Sequence, residues 1–259
     1  MNVDLPRLQT ESPKAQRDRL SAVLRAVRPV ATVCAPDDPL AALVVTPQSL
    51  VLRLGAPMAP EPGALVAARL DGAMPLAQLL RGAPGRLEIP LDGGAGLGVL
   101  CALMLAERDG GRCGAPLATA RLFEAVLVLA LRRVIEMAPQ DTGVLAGLSH
   151  ARLHRALVAI HEHPARPWTV EALAAEAAMS RSRFMAAFSQ VIGTSPMAYV
   201  MRWRMGLAQA ALAEGAQVRD VARHSGYDSA AGFRRAWRRH LGDRPAPPTS
   251  RAAPLPASG

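Results

Sequence analysis

A chain of 259 residues, half of them apolar, is long enough to bury one large or two ordinary cores, which excludes a disordered segment. The net charge of +9 is unevenly spread: residues 1–145 carry 15 basic and 14 acidic side chains, whereas residues 146–259 carry 15 and 7. Compositional bias alone would enrich arginine everywhere, so a surplus confined to one part is the electrostatic footprint of a polyanion partner.

In chain order, residues 1–17 read as a polar, mobile leader, and MNVDLPRLQTESPK has no apolar stretch of the kind a secretory signal needs. Asp18–Val27 has helical spacing, with Leu20, Val23, Leu24 and Val27 on one face. From Pro29 to Leu91 the segments LAALVV, SLVLRL, ALVAARL and RLEIPL, separated by Pro and Gly, read as short strands. Gly93-Gly94-Ala95-Gly96-Leu97-Gly98 matches neither phosphate-loop pattern and reads as a turn before a helix. Leu97–Glu107 and Pro116–Met137 are then helical, the second with Leu122, Ala125, Val126, Leu129, Arg133 and Glu136 advancing by threes and fours. This pair serves either as a dimerisation surface or as a cover for the sheet. The longest apolar run, Leu97–Ala106, falls short of the ~20 residues that span a bilayer, so no membrane partner is expected. Residues 138–148 read as a linker and 246–259 as a disordered tail, leaving a sensor or dimerisation domain at 18–137 and an all-α domain at 149–245. Eight of the nine aromatic residues fall between Trp168 and Trp237, which places a differently built core there.

The C-terminal part contains an internal repeat. Val170, Leu173, Ala174, Ala177, Met179, Phe184, Phe188, Ile192 and Gly193 recur as Val218, Val221, Ala222, Ser225, Tyr227, Phe233, Trp237, Leu241 and Gly242. The offset is 48 residues up to Tyr227 and 49 afterwards, which is one residue inserted in the second turn. Each copy reads as two helices with a tight turn. Thr169 and Ser180 cap the helices of the first, and Gly193 stops it; Gly226, Ser229 and Gly242 supply turn, cap and stop in the second. Between them Ser195 caps a helix over Pro196–Ala213, with Pro196 at its first position. Eighteen residues make a rod of roughly 27 Å, comparable with the ~34 Å between successive major grooves on one DNA face.

The stretches PWTVEALAAEAAMSRSRFMAAFSQVIGTSPMAYVMRWRMGLAQAALAEG and VRDVARHSGYDSAAGFRRAWRRHLGDRP resemble the DNA-binding domain of the AraC/XylS family of transcription regulators, across residues 150–245. The resemblance implies seven helices, the first being Ser149–His163. It also implies that the exposed face of each second helix meets DNA. In the first copy that face carries Arg181, Ser182, Arg183, Met185 and Ala186, of which 182, 185 and 186 point most directly into the groove in the family. Ser, Met and Ala have little hydrogen-bonding power, so this copy is expected to position the domain, with Arg181 and Arg183 on phosphates. In the second copy Ala230, Ala231 and Gly232 open the helix. Arg234 and Arg235 stand where family members contact bases, and Arg238 and Arg239 a turn further on are assigned to the backbone. Residues 18–137 resemble, more loosely, an abbreviated form of the cupin-type sensor domain found in one branch of this family. They contain no histidine, which excludes a metal-binding cupin. Any effector is expected in an apolar pocket lined by Leu43, Val45, Leu52, Leu65, Val66 and Leu87.

No cofactor, metal or catalytic residue is expected. Cys34, Cys101 and Cys113 have no metal-ligand spacing and fit a reduced, cytoplasmic setting. His150, His154 and His161 share one helix face without the HExxH pattern and read as surface or interface residues. The expectation is a sequence-specific regulator of transcription initiation whose partner is double-stranded DNA. A small-molecule effector, RNA polymerase and a second copy of the chain are the further candidate partners. The alternatives are a DNA-binding appendage of an alkyl-repair enzyme, or a sequence-indifferent DNA-compacting protein.

Overall fold

The computed structural model describes residues 18–53, 57–71, 85–92, 95–137 and 142–241. The expected leader, Gly93 and Gly94 of the Gly-rich segment and the C-terminal tail with Gly242 lie outside the described residues, whereas Ala95–Gly98 of that segment already belong to a helix.

The chain enters through α1 (Ser21–Val27), whose first turn is closed by the Asp18 carboxylate accepting from the Leu20 and Ser21 amides, each at 3.0 Å. Five strands follow: β1 (Val30–Cys34), β2 (Leu43–Val45), β3 (Ser49–Arg53), β4 (Val66–Asp71) and β5 (Arg86–Pro90). They form one antiparallel sheet in the order β1-β4-β2-β3-β5. The four segments read as strands are strands. The β-branched run VATVC adds a fifth as an edge, which the Pro-flanked sequence did not announce. Among the described residues the sheet is open, with β1 and β5 at its edges. Strand alternation sends Leu43, Val45, Leu50, Leu52, Val66, Ala68 and Ile89 into the main core, and Val44, Val51 and Ala67 to a small cluster on the other face.

Two helices, α2 (Ala95–Asp109) and α3 (Ala115–Met137), pack as a hairpin, and α3 also packs on β1. The face of α3 that is buried carries Thr119, Phe123, Val126, Leu127, Ala130, Leu131, Val134 and Ile135. Of the residues that advance by threes and fours, Val126 is buried whereas Ala125 and Glu136 are exposed. In so apolar a helix several faces satisfy the 3.6 period, and the fully buried Phe123 decides which one turns inward. Leu43, Val45, Leu52 and Val66 are 0–2% exposed inside this packed core, and Leu65 and Leu87 are half-buried. The buried side chains among them belong to the packed interior of the sheet.

The segment read as a linker is helical where it is described: α4 (Val144–Ser149) buries Val144, Leu145, Ala146, Gly147 and Leu148. Its apolar run of small and branched residues is a packing surface. Gly143 donates its amide to Val191 O at 2.7 Å, and Ser149 Oγ donates to Ile135 O at 2.9 Å. Helix α5 (Leu153–Glu162) starts later than the expected Ser149 because the chain breaks at His150–Arg152. There the His150 Nδ1 accepts from the Arg152 and Leu153 amides, at 3.1 and 3.2 Å, and so acts as a cap. Five further helices, described below, complete seven between residues 144 and 241 among the described residues. The main core is continuous from Leu20 to Trp203, so α1, the sheet and the first half of the helical region share one packed interior.

Candidate nucleic-acid interface

The sequence repeat is a repeat of hydrogen bonds. In the first copy α6 (Val170–Glu176) is capped by Thr169 Oγ1, which accepts from the Ala172 amide at 3.1 Å, and buries Leu173 and Ala174. The chain leaves through Ala178 at φ +51°, with Ala178 N donating to Ala175 O at 3.0 Å and Met179 N to Ala174 O at 2.9 Å. In the second copy α9 (Val218–His224) buries Val221 and Ala222. It leaves through Gly226 at φ +76°, with Gly226 N donating to Arg223 O and Tyr227 N to Ala222 O, both at 3.0 Å. Every one of these positions is 48 residues from its counterpart. Both are left-handed helix ends that satisfy the last carbonyls.

The second helix of each copy is α7 (Arg181–Ile192) or α10 (Ala230–Leu241). The rings of Phe184 and Phe188 pack at a tilt with centroids 5.4 Å apart and are fully buried; those of Phe233 and Trp237 pack likewise at 5.6 Å and are also buried. These aromatic pairs, at i and i+4, turn the opposite face of each helix outward. Ser229 caps α10 as expected, its Oγ accepting from the Gly232 amide at 3.1 Å. Ser180 has the extended backbone of a cap but makes no side-chain capping bond. Gly193, at φ +76°, ends α7. The connecting helix α8 (Pro196–Ala213) has the bounds read from the sequence, and Ser195 caps it by accepting from the Ala198 amide at 3.3 Å. Its Tyr199, Val200 and Trp203 enter the main core, whereas Met205 and Ala208 join Val221, Ala222, Phe233 and Trp237 in a separate second core.

On α7, Arg181, Ser182, Arg183, Met185 and Ala186 are all exposed. Arg181 Nε pairs with Glu171 Oε1 at 2.8 Å, an ion pair open to solvent and weak enough to exchange for a phosphate. On α10 Ala231, Arg234, Arg235, Arg238 and Arg239 are exposed and Ala230 is half-buried. The 49-residue offset places Ser182, Met185 and Ala186 opposite Ala231, Arg234 and Arg235. One face is therefore apolar and weakly polar, the other strongly basic.

The histidines are not where the sequence suggested. His154 and His161 are buried, at 9% and 4% exposure. His161 Nε2 shares a 2.6 Å hydrogen bond with the Tyr199 hydroxyl and lies 4.4 Å from the Trp203 ring. Complete burial pushes the His161 pKa down to about 3 and that of Tyr199 upward, so both are neutral structural groups. Sequence reading also missed Arg204. Its Nε donates to Pro164 O at 2.6 Å and its Nη2 to Arg166 O at 2.7 Å. An arginine within an amphipathic helix reads as a solvated charge, and its carbonyl partners lie about forty residues away.

Two helix-turn-helix units joined by one helix define a double helix-turn-helix domain, the class of module that presents helices to duplex DNA. Residues 173–247 match the helix-turn-helix domain family. The chain is 42% identical over 122 residues to an AraC-like transcription regulator of Streptomyces lividans, covering 46% of this chain and 40% of that protein. It is 39% identical over 126 residues to one of Streptomyces antibioticus (48% and 42%), and 33% identical over 125 residues to the HTH-type transcriptional regulator AlkR of Acinetobacter baylyi (48% and 41%). The helical C-terminal region is thus similar in sequence to AraC-type transcription regulators. The chain spans about two-fifths of the length of the curated relatives it matches. Among solved structures, the DNA-binding domain of AdpA, in complex with a target DNA, is 32% identical. That match covers 37% of this chain and 87% of the other, at a TM-score of 0.34. Among the described residues no helix is long and apolar enough to cross a membrane.

Proposed function

We propose that this chain is a transcription regulator that binds a specific site in double-stranded DNA through α7 and α10. The observation that carries this reading is the basic outer face of α10, held outward by buried Phe233 and Trp237 in a unit whose turn repeats the backbone hydrogen bonds of the α6–α7 turn. Arg234 and Arg235 read bases, and Arg238 and Arg239 hold the backbone. Arg181 and Arg183 hold phosphates beside α7, while Met185 and Ala186 pack on thymine methyls and Ser182 adds little, so that α7 has a weak sequence preference of its own. Residues 18–137 modulate this binding. The support is α4, wedged between the end of α3 and the end of α7 by the Ser149 and Gly143 hydrogen bonds. A small-molecule effector, a second copy of the chain or RNA polymerase would act through that coupling. The repair-enzyme alternative is disfavoured by its chemistry. Burial pushes the Cys34 and Cys101 thiols up to about 11, away from the thiolate that alkyl transfer needs.

Footprinting on the DNA upstream of its own coding sequence tests the proposal. A discrete protected site covering two successive major-groove turns supports it. Uniform protection at all positions would favour the compacting protein, and methyl transfer from damaged DNA to a cysteine would favour the repair enzyme.

A further inference from the structure

The two reading helices are joined by α8, but a single helix fixes their angle only as well as its ends are held. The second lobe has its own small core, separate from the main one, so something else must set its orientation. The structure supplies a junction at Arg204, on the stretch of α8 between the residues that serve the two cores. Its guanidinium forks onto the carbonyls of Pro164 and Arg166, in the loop that precedes α6 of the first lobe. That loop is itself anchored. Trp168, buried in the main core, donates Nε1 to His163 O at 3.0 Å, and Arg166 lies 4.3 Å over the Trp168 ring. On its other side the loop meets the turn of the second lobe. A Cβ at Gly226 would stand 2.7 Å from Ala165 O and 3.2 Å from Arg204 Nη2. Only a residue without a side chain lets the second turn close onto this loop.

We infer that Arg204, with Gly226 packed against it, is a positioning residue that fixes the angle between α7 and α10 and so sets which half-site spacing the protein accepts. Arg204 touches no DNA in this role. It acts through the 163–168 loop, and its loss frees the second lobe to swing about α8. This inference rests on the two-helix reading of DNA proposed above, and its test has one arm that needs DNA and one that does not.

In the first arm the full chain selects its preferred duplex from a randomised library, and one base pair is then inserted between the two half-sites. The wild-type protein should lose about threefold to tenfold in affinity on insertion, the weak preference of α7 being all that is lost, and Arg204→Ala less than about twofold, because only a rigid pair of lobes resists a change of phase. Arg204→Lys keeps the charge but cannot fork onto both carbonyls, and should behave like Arg204→Ala. Recovery of the wild-type spacing penalty by Arg204→Lys, or an equal loss by Arg204→Ala on both duplexes, would overturn the inference. In the second arm the distance between spin labels on non-natural residues at positions 186 and 231 is measured without DNA. The expected result is a narrow distribution in the wild type and in the control Leu173→Val, and a broad one in Arg204→Ala. Equal widths in wild type and Arg204→Ala would refute the junction even if no bipartite duplex is selected, an outcome that by itself counts only against the proposed function.

Discussion

The two turns of the repeat make the same demand on one backbone position and meet it with different residues, which allows a paired prediction. Ala178 and Gly226 both leave their helices in the left-handed region, at φ +51° and +76°. A side chain there costs ~1–2 kcal/mol of backbone strain, and glycine gives back ~0.4–1 kcal/mol by being freer in the unfolded chain. Ala178 is exposed, so Ala178→Gly should be a net stabilisation of ~0.5–1 kcal/mol of the first lobe. Gly226→Ala reverses that sign and adds a steric term, since the new Cβ would lie 2.7 Å from the backbone oxygen of Ala165, which no side-chain rotation can relieve. Forced overpacking of this kind costs ~1–3 kcal/mol, so the sum is ~2–4 kcal/mol. Native-state hydrogen exchange resolves the lobes separately. Amides of α9 and α10 should exchange roughly 30-fold to 1,000-fold faster in Gly226→Ala, with those of the sheet unchanged. If α9 and α10 are as protected in Gly226→Ala as in the wild type, the close approach to Ala165 is not a constraint and the argument fails.

Three further outcomes are expected. Arg234→Ala should relax sequence preference at one base position, whereas Arg238→Ala should weaken all duplexes alike and lower the salt slope by ~1; identical, sequence-independent losses for both would remove base readout by α10. His161 is held neutral with a pKa of about 3 against an ordinary value of 6.5, so the unfolded chain takes up the proton first as pH falls. Its contribution to stability is complete above about pH 6.5 and is lost progressively towards pH 3, at up to ~1.4 kcal/mol per pH unit. Urea midpoints should therefore fall less steeply between pH 7 and pH 5 in His161→Gln than in the wild type, and matching slopes would count against this origin. Finally, a Cβ at Gly147 would meet Ile192 Cδ1 and, at 2.7 Å, Leu157 Cδ1, both ends of movable side chains. Gly147→Ala should cost ~1–3 kcal/mol in a denaturation titration, and no shift of the midpoint would mean that α4 is not a tight wedge.

Much of the site was legible before the fold. The Phe184–Phe188 and Phe233–Trp237 pairs sit at helical spacing in the part of the chain that holds eight of its nine aromatic residues, so their alignment exposed the repeat, and the repeat located α7, α8 and α10. Thr169, Ser195, Ser229 and Gly193 are local signals acting over three or four residues, and they do what local chemistry requires. Ser180 is the exception: its backbone adopts the cap conformation, but its hydroxyl is not used.

Sequence alone therefore determined the elements and the charge of their outer faces, because helix ends, aromatic pins and the basic surplus are short-range properties. Tertiary structure decided what no short-range pattern encodes. It made the last part of the segment read as a linker, 138–148, a buried wedge from Val144 onward, and hid His154 and His161. It also brought Arg204, Pro164, Arg166 and Gly226 together from three separate parts of the chain. Each of these depends on which surface meets which. In helices as apolar as α3 and α4 periodicity leaves that choice open, and only the packing of the whole core makes it.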